Sequence, residues 1–216
     1  MKNGILFDLD GTLLDTLEDL ADAVNHVLRQ FDYPERTIGE VRRFVGNGVG
    51  LLIQRAVPEG ADPEPVLAAF RAFYNTHCQV KTKPYEGILD ALAELRGEYS
   101  IAVVSNKPDS AVKALCADYF PGVYARGESC DCPRKPAPDM VEKAMEAIGV
   151  DRCIYVGDSE VDVATAQNAG VPCLTVLWGF RDREELETAG AKYFCDDPAN
   201  LIGALKDLLS SGAAST

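Results

Sequence analysis

Positive charge is what this chain has least of. Its 21 Lys and Arg stand against 34 Asp and Glu, a formal net charge of −13 at pH 7. No basic stripe of the kind a phosphate backbone or an anionic bilayer requires can be assembled from it, which argues against nucleic acid and membrane as partners. A small phosphorylated molecule stays open, because a few local cations and a metal can reverse the sign inside one cleft. Long apolar runs are missing too. No segment has the length to span a bilayer. Met1-Lys2-Asn3 leads straight into the first short apolar stretch, too short for a secretory leader, so a cytoplasmic location is expected. Histidine is scarce: His26 and His77 lie far in sequence from Cys130-Asp131-Cys132, which therefore lacks the partners of a zinc site and reads as loop thiols. The seven cysteines (Cys78, Cys116, Cys130, Cys132, Cys153, Cys173, Cys195) are odd in number and scattered, the pattern of reduced thiols. Internal repeats are absent. The 216 residues, 47% hydrophobic and 25% charged, fit a globular chain of one or two domains.

Among what is present, Ile5-Leu6-Phe7 reads as a buried strand ending at Asp8, with Gly11 supplying a turn. Asp8 and Asp10 are two carboxylates one residue apart at the mouth of a sheet. At ~4 Å near a protein surface they repel by about 4 kcal/mol, a cost that asks for a cation between them or a proton on one. Residues ~15–80 then read as helices alone. Leu17, Leu20, Ala21, Val24, Val27 and Leu28 form one apolar stripe, with Asp15, Glu18, Asp19 and Asp22 assigned to its polar face. Thr37 caps a second helix carrying Ile38, Val41, Phe44 and Val45. Gly46-Asn47-Gly48 breaks it, Leu51 to Val57 suggests a third helix, and Pro63 and Pro65 open a fourth running through Phe70, Phe73 and Tyr74.

From Pro84 onward the pattern alternates. Strands at Ile101–Val104, Val123–Ala125, Ile154–Val156 and Cys173–Val176 are separated by helices, and residues 210–216 look like a frayed tail. The alternation predicts an α/β fold: a doubly wound parallel sheet, a Rossmann-like core of residues 1–14 and 83–216. A small all-helical cap, residues 15–82, is inserted into it, with hinges at Leu14-Asp15-Thr16 and Lys81-Thr82-Lys83-Pro84. Ligands bind at the carboxyl ends of such strands, where Asp8/Asp10, Ser105-Asn106-Lys107 and Asp158-Ser159 fall.

Four signatures occur in order: Asp8-Leu9-Asp10-Gly11-Thr12, Ser105-Asn106-Lys107, Lys135-Pro136-Ala137-Pro138-Asp139, and Gly157-Asp158-Ser159-Glu160-Val161-Asp162. With them the chain resembles the haloacid dehalogenase superfamily over nearly its whole length. The resemblance implies that Asp8 is a nucleophile passing through an aspartyl phosphate. Asp10 would protonate the leaving alkoxide and then deprotonate the attacking water. Mg²⁺ would be held by the Asp8 carboxylate, the Asp10 carbonyl and Asp158, with Asp162 ordering its water shell. Ser105, the Asn106 amide and Lys135 would stabilise the phosphoryl oxygens, with Thr12 on the substrate side and Lys107 one step removed. The presence of Asp10 favours phosphoryl transfer over dehalogenation, since halide needs no general acid. Val45-Gly46-Asn47-Gly48-Val49-Gly50 resembles the cap loop of phosphoglycolate phosphatases. Amides of Gly46, Asn47 and Gly48 could meet a small carboxylate there, and Arg42 and Arg43 are nearby anion-binding candidates.

The implied activity is a Mg²⁺-dependent phosphomonoester hydrolase acting on a small phosphorylated metabolite, as monomer or homodimer. A pyrophosphatase, a sugar-phosphate phosphatase or mutase, and a non-catalytic phosphometabolite sensor are the alternatives. His26, His77 and Asp139 read as structural, and Trp178 stays open between lining a cleft and packing at its rim.

Overall fold

In the computed structural model, which describes residues 3–210, the chain runs through β1 (Asn3–Phe7) and β2 (Leu14–Asp15) into four helices. These are α1 (Leu17–Gln30), α2 (Ile38–Phe44), α3 (Gly48–Ala56) and α4 (Pro63–His77). The chain returns through β3 (Lys83–Pro84) and α5 (Ile88–Leu95), then follows β4 (Ser100–Pro108), α6 (Asp109–Tyr119), β5 (Tyr124–Glu128) and α7 (Asp139–Ile148). It closes with β6 (Arg152–Gly157), α8 (Glu160–Asn168), β7 (Cys173–Val176), α9 (Arg183–Thr188), β8 (Tyr193–Cys195) and α10 (Leu201–Ser210).

The six-stranded sheet has the order β5-β4-β1-β6-β7-β8, and every neighbouring pair is parallel. Its central strands are continuous apolar runs because helices cover both faces. Ile5, Leu6 and Phe7 are fully buried, as are Ala102 to Val104 and Ile154 to Val156. From β1 the chain moves outward through β4 and β5, then jumps back to β6 and runs outward the other way. That reversal opens a crevice beyond the carboxyl ends of β1 and β6. The edge strand β8 is absent from the sequence reading, since three residues are too few to display an alternating pattern.

Helices α1 to α4 close on a cluster that includes Val24, Leu28, Ile53 and Phe70, joined by Phe180 from the segment after β7. Local chemistry sets their starts. Thr37 and Glu40 form a reciprocal capping box for α2, and Asp62 accepts the Glu64 amide ahead of Pro63 in the first turn of α4. Ile38 departs from its expected stripe and is 49% exposed, because the two-turn α2 turns only Val41 fully into the cluster.

The root of this block is not helical. β2 and β3 pair antiparallel, with Leu14 opposite Pro84 and Asp15 opposite Lys83. Asp15 is therefore a strand residue whose carboxylate accepts the Leu17 amide at 3.3 Å, not part of a helix face. Asp19 is buried, not solvated. It accepts the amides of Lys81 at 3.0 Å and Thr82 at 2.8 Å, tying α1 to the returning segment. Ser210 is the last residue of α10, and the rest of the expected frayed tail lies outside the described residues. Among the described residues no helix is long and apolar enough to cross a membrane.

Candidate active site

β1 delivers Asp8 to the crevice, and the Asp8 amide donates to the Val156 carbonyl of β6 at 2.8 Å. The chain then turns at Gly11, which has φ +85°. A Cβ on Gly11 would collide with the Asp158 carboxylate, so only glycine allows Asp158, one residue beyond β6, to approach the turn. In β4 the pairing with β5 slips between Val104 and Pro108. Irregularities of this kind re-aim side chains next to sites, and this one spans Ser105, Asn106 and Lys107.

Asp8, Asp10, Ser105, Asn106, Lys107, Lys135 and Asp158 all line one cleft, which encloses a cavity of about 50 Å³. Its roof comes from Gly46, Gly48, Val49, Leu52 and Tyr74 of the helical block, and Phe180 and Arg181 complete one wall. Lys135 Nζ lies 2.8 Å from Asp8 Oδ1 and 2.8 Å from Asp162 Oδ1, and donates to the Tyr155 hydroxyl at 3.0 Å. Lys107 Nζ donates to Asp10 Oδ1 at 2.8 Å and to the Tyr74 hydroxyl at 2.7 Å. Asn106 donates to the carbonyls of Lys135 at 3.0 Å and Gly46 at 3.3 Å, joining strand end to roof.

The charges are unbalanced. Oxygens of Asp8, Asp158 and Asp162 lie within 4.8 Å of one another, all buried. At such distances each pair of ionised carboxylates repels by about 3–4 kcal/mol at an effective dielectric of 20, and Lys135 offsets one of the three charges. Burial, then repulsion from Asp162, pushes Asp8 well above the usual carboxylate range despite Lys135. Burial and Asp162 push Asp158 up to about 7, against the opposing hydrogen bonds from the Phe180 amide and Thr12. Burial disfavours charge on both lysines, yet carboxylates hold Lys135 and Lys107 above the ordinary lysine value. Asp8 Oδ1 is buried, and despite its ion pair no donor is aligned on it. A hard divalent cation fits this donor set: all-oxygen, over-anionic and with one carboxylate oxygen unsatisfied.

Three expected substrate contacts lie elsewhere. Thr12 is fully buried beneath the site and donates to Asp158 Oδ1 at 3.1 Å, so it orients that carboxylate. Asn47 donates to Glu160 Oε1 at 3.4 Å and does not line the cleft. Arg43 is exposed and borders a separate surface depression with Arg55 and Glu184. Two residues beyond buried Val41, it sits about 200° round the helix from the packed face. Arg42 reaches the Gly179 carbonyl at 3.1 Å and Asp182 at 3.3 Å. Trp178 resolves as packing: its indole donates to the Thr12 carbonyl at 3.0 Å and its ring meets Tyr85 edge-on.

Among the residues with polar side chains in the cleft, Arg181 and Tyr74 escaped the sequence reading. Arg181 is buried, paired with Glu160 at 2.8 Å, and donates to the roof carbonyls of Val45 at 2.7 Å and Arg42 at 3.1 Å. It lies five residues beyond the end of β7, past Trp178 and Phe180, so a rule that inspects only strand ends does not reach it. Tyr74 carried no signal, since an aromatic four residues after Phe70 reads as core. Its ring does stack on Phe70, at 5.1 Å between centroids.

The chain belongs to the haloacid dehalogenase-like hydrolase family, whose model matches residues 5–176. Among curated relatives, the phosphoglycolate phosphatase of Rhodospirillum rubrum is 35% identical over 219 residues, covering 93% of this chain and 90% of that one. The phosphoglycolate phosphatase of Mesorhizobium japonicum is 33% identical, covering 85% and 86%. A crystal structure from Lactobacillus delbrueckii subsp. bulgaricus, provisionally assigned the same activity, superposes with a TM-score of 0.89 at 36% identity, covering 95% of this chain and 99% of that one. Family and relatives together make the protein a phosphatase.

Proposed function

We propose that this phosphatase hydrolyses small phosphate monoesters, with 2-phosphoglycolate as the leading substrate, by covalent transfer through Asp8 with Mg²⁺ bound. The observation that carries the reading is the grouping of Asp8, Asp10, Lys135 and Asp158 in one roofed cleft. Residues 15–82 act as a cap on a core made of residues 1–14 and 83–216. Asp8, Asp158 and the Asp10 carbonyl would hold Mg²⁺, with Asp162 behind them. When bound, the ion neutralises phosphoryl charge that would otherwise repel the carboxylates.

A carboxylate oxygen of Asp8 attacks phosphorus while the ester P–O bond breaks, and the leaving alkoxide takes a proton from Asp10. Water then attacks the acyl phosphate and gives its proton to Asp10; phosphate leaves and Asp8 is regenerated. Lys135 and Ser105 stabilise charge on the phosphoryl oxygens. The small cavity favours a two-carbon ester over a sugar phosphate, and the relatives' activity points the same way. Free thiols at all seven cysteines support a cytoplasmic place of work.

A phosphate-release screen over small phosphorylated metabolites, with and without Mg²⁺, tests the substrate. Preference for a hexose phosphate would overturn it. Asp8→Asn should abolish turnover while leaving the thermal melt cooperative, and retained turnover would refute the covalent route.

A further inference from the structure

The proton-handling carboxylate of this site is not held by the core alone. Asp10 Oδ1 takes the Lys107 ammonium at 2.8 Å, and the same nitrogen donates to the Tyr74 hydroxyl at 2.7 Å. Lys107 belongs to β4 and Tyr74 to α4 of the helical block, so the chain of contacts crosses from roof to floor. Its lysine and tyrosine are sheltered, the Lys107 side chain and Tyr74 each 2% exposed, while the Asp10 side chain is 14% exposed toward the cleft. The ammonium also sits over the Tyr74 ring, 4.8 Å from its centroid. With Oδ1 occupied, Oδ2 is the oxygen left to carry the proton. A lysine has four rotatable side-chain bonds and a strongly hydrated head, and one hydrogen bond to Asp10 would not define its position. The second bond, to Tyr74, does.

We propose that Tyr74 is a positioning residue for proton transfer: acting through Lys107, it fixes the Asp10 carboxylate toward the leaving oxygen only while the helical block is seated on the core. A raised roof takes the hydroxyl away and frees Lys107 and Asp10 to turn. The roof thereby does more than enclose substrate. It makes acid catalysis conditional on closure, which protects the site from transferring phosphate when water has free entry. This rests on the reading of Asp10 as the proton-handling group.

The test separates the two. 2-Phosphoglycolate expels an alkoxide that needs a proton. Acetyl phosphate, of similar size, expels acetate, which needs none. kcat/KM reports the steps up to release of the leaving group, so the ratio of kcat/KM for the two substrates isolates proton transfer. Tyr74→Phe keeps the ring and its stack on Phe70 while removing the hydroxyl. It should lower kcat/KM on 2-phosphoglycolate by about tenfold or more, within the range that general acid catalysis supplies, and change acetyl phosphate by less than about threefold. Lys107→Met should shift the ratio the same way, and the double variant should be no worse than Lys107→Met, because Tyr74 acts through Lys107.

Asp10→Asn supplies the reference. If it shows the selective loss and Tyr74→Phe loses equally on both substrates, or on neither, the positioning role is wrong and the Asp10 reading stands. If Asp10→Asn itself shows no selectivity, the Asp10 reading fails and the positioning role with it.

Discussion

On the proposed assignment of Asp8 and Asp158 to a divalent cation, protons compete with that cation for the same carboxylates, and the competition has a sign and a size. Burial first, and Asp162 second, raise Asp158 to about 7 in the folded protein, against about 4 for an aspartate in an unfolded chain. A carboxylate ligand must lose its proton to bind metal. The apparent affinity for Mg²⁺ therefore scales with the deprotonated fraction, which is near nine-tenths at pH 8 and about one-tenth at pH 6. The expected weakening between them is about tenfold, or about 1.4 kcal/mol, and Asp8, raised by the same causes, adds to it.

The sign for stability follows from the same group. Between about pH 4 and pH 7 the folded state holds a proton that the unfolded state has released, so metal-free stability falls as pH rises through that window. Below it the effect is absent, and above it the full penalty remains. Calorimetric titration of metal-free protein with Mg²⁺ at the two pH values measures the affinity ratio, and melts with and without Mg²⁺ should show the larger stabilisation at pH 8. Asp158→Asn should flatten the metal-free pH dependence. Equal affinity at both pH values, or tighter binding at pH 6, would refute the assignment of these acids as the cation site.

Two further substitutions probe the supports of that site. Gly11→Ala forces a side chain into a left-handed φ and against the Asp158 carboxylate; at least about 1–2 kcal/mol of stability should be lost, with weaker Mg²⁺ binding by calorimetry, and unchanged affinity would contradict the packing argument. Lys135→Met removes the cation between Asp8 and Asp162. Breaking a buried pair costs up to about 3–5 kcal/mol, and urea melts should show the larger cost at pH 8 than at pH 6, where the stranded acids can carry protons; a pH-independent cost would contradict it.

Legibility in the sequence divides along a physical line. Asp8, Ser105 and Asp158 each follow an apolar run that reads as a buried strand, so their place at the carboxyl end of the sheet is written locally. The alternation of strand and helix likewise gives the parallel sheet, while β8 and the β2–β3 pair are too short to show a period. Periodicity encodes burial but carries no information about partners. A charge on a helix is assigned to solvent by default, which misplaced Asp19, although backbone amides 62 and 63 residues away meet it. A tyrosine on an apolar stripe is assigned to the core, which hid the Tyr74 hydroxyl from its lysine 33 residues on.

Three of the contacts that seat the roof share one form, a polar group of the core reaching a group of the helical block, while Arg42 and Asn47 reach the other way. Lys107 reaches Tyr74, Asn106 reaches the Gly46 carbonyl, and Arg181 reaches the Val45 carbonyl. Two of the three acceptors are backbone carbonyls, which no residue type announces. The donors are different, because each is a charged or amide side chain, Asn106 and Lys107 at the carboxyl end of β4 and Arg181 in the segment after β7. Such residues are costly to bury unless something distant satisfies them. A strand-end cation left over after the chemistry is assigned is therefore the sequence's own mark of where a second layer closes, and in this chain Lys107 carries it.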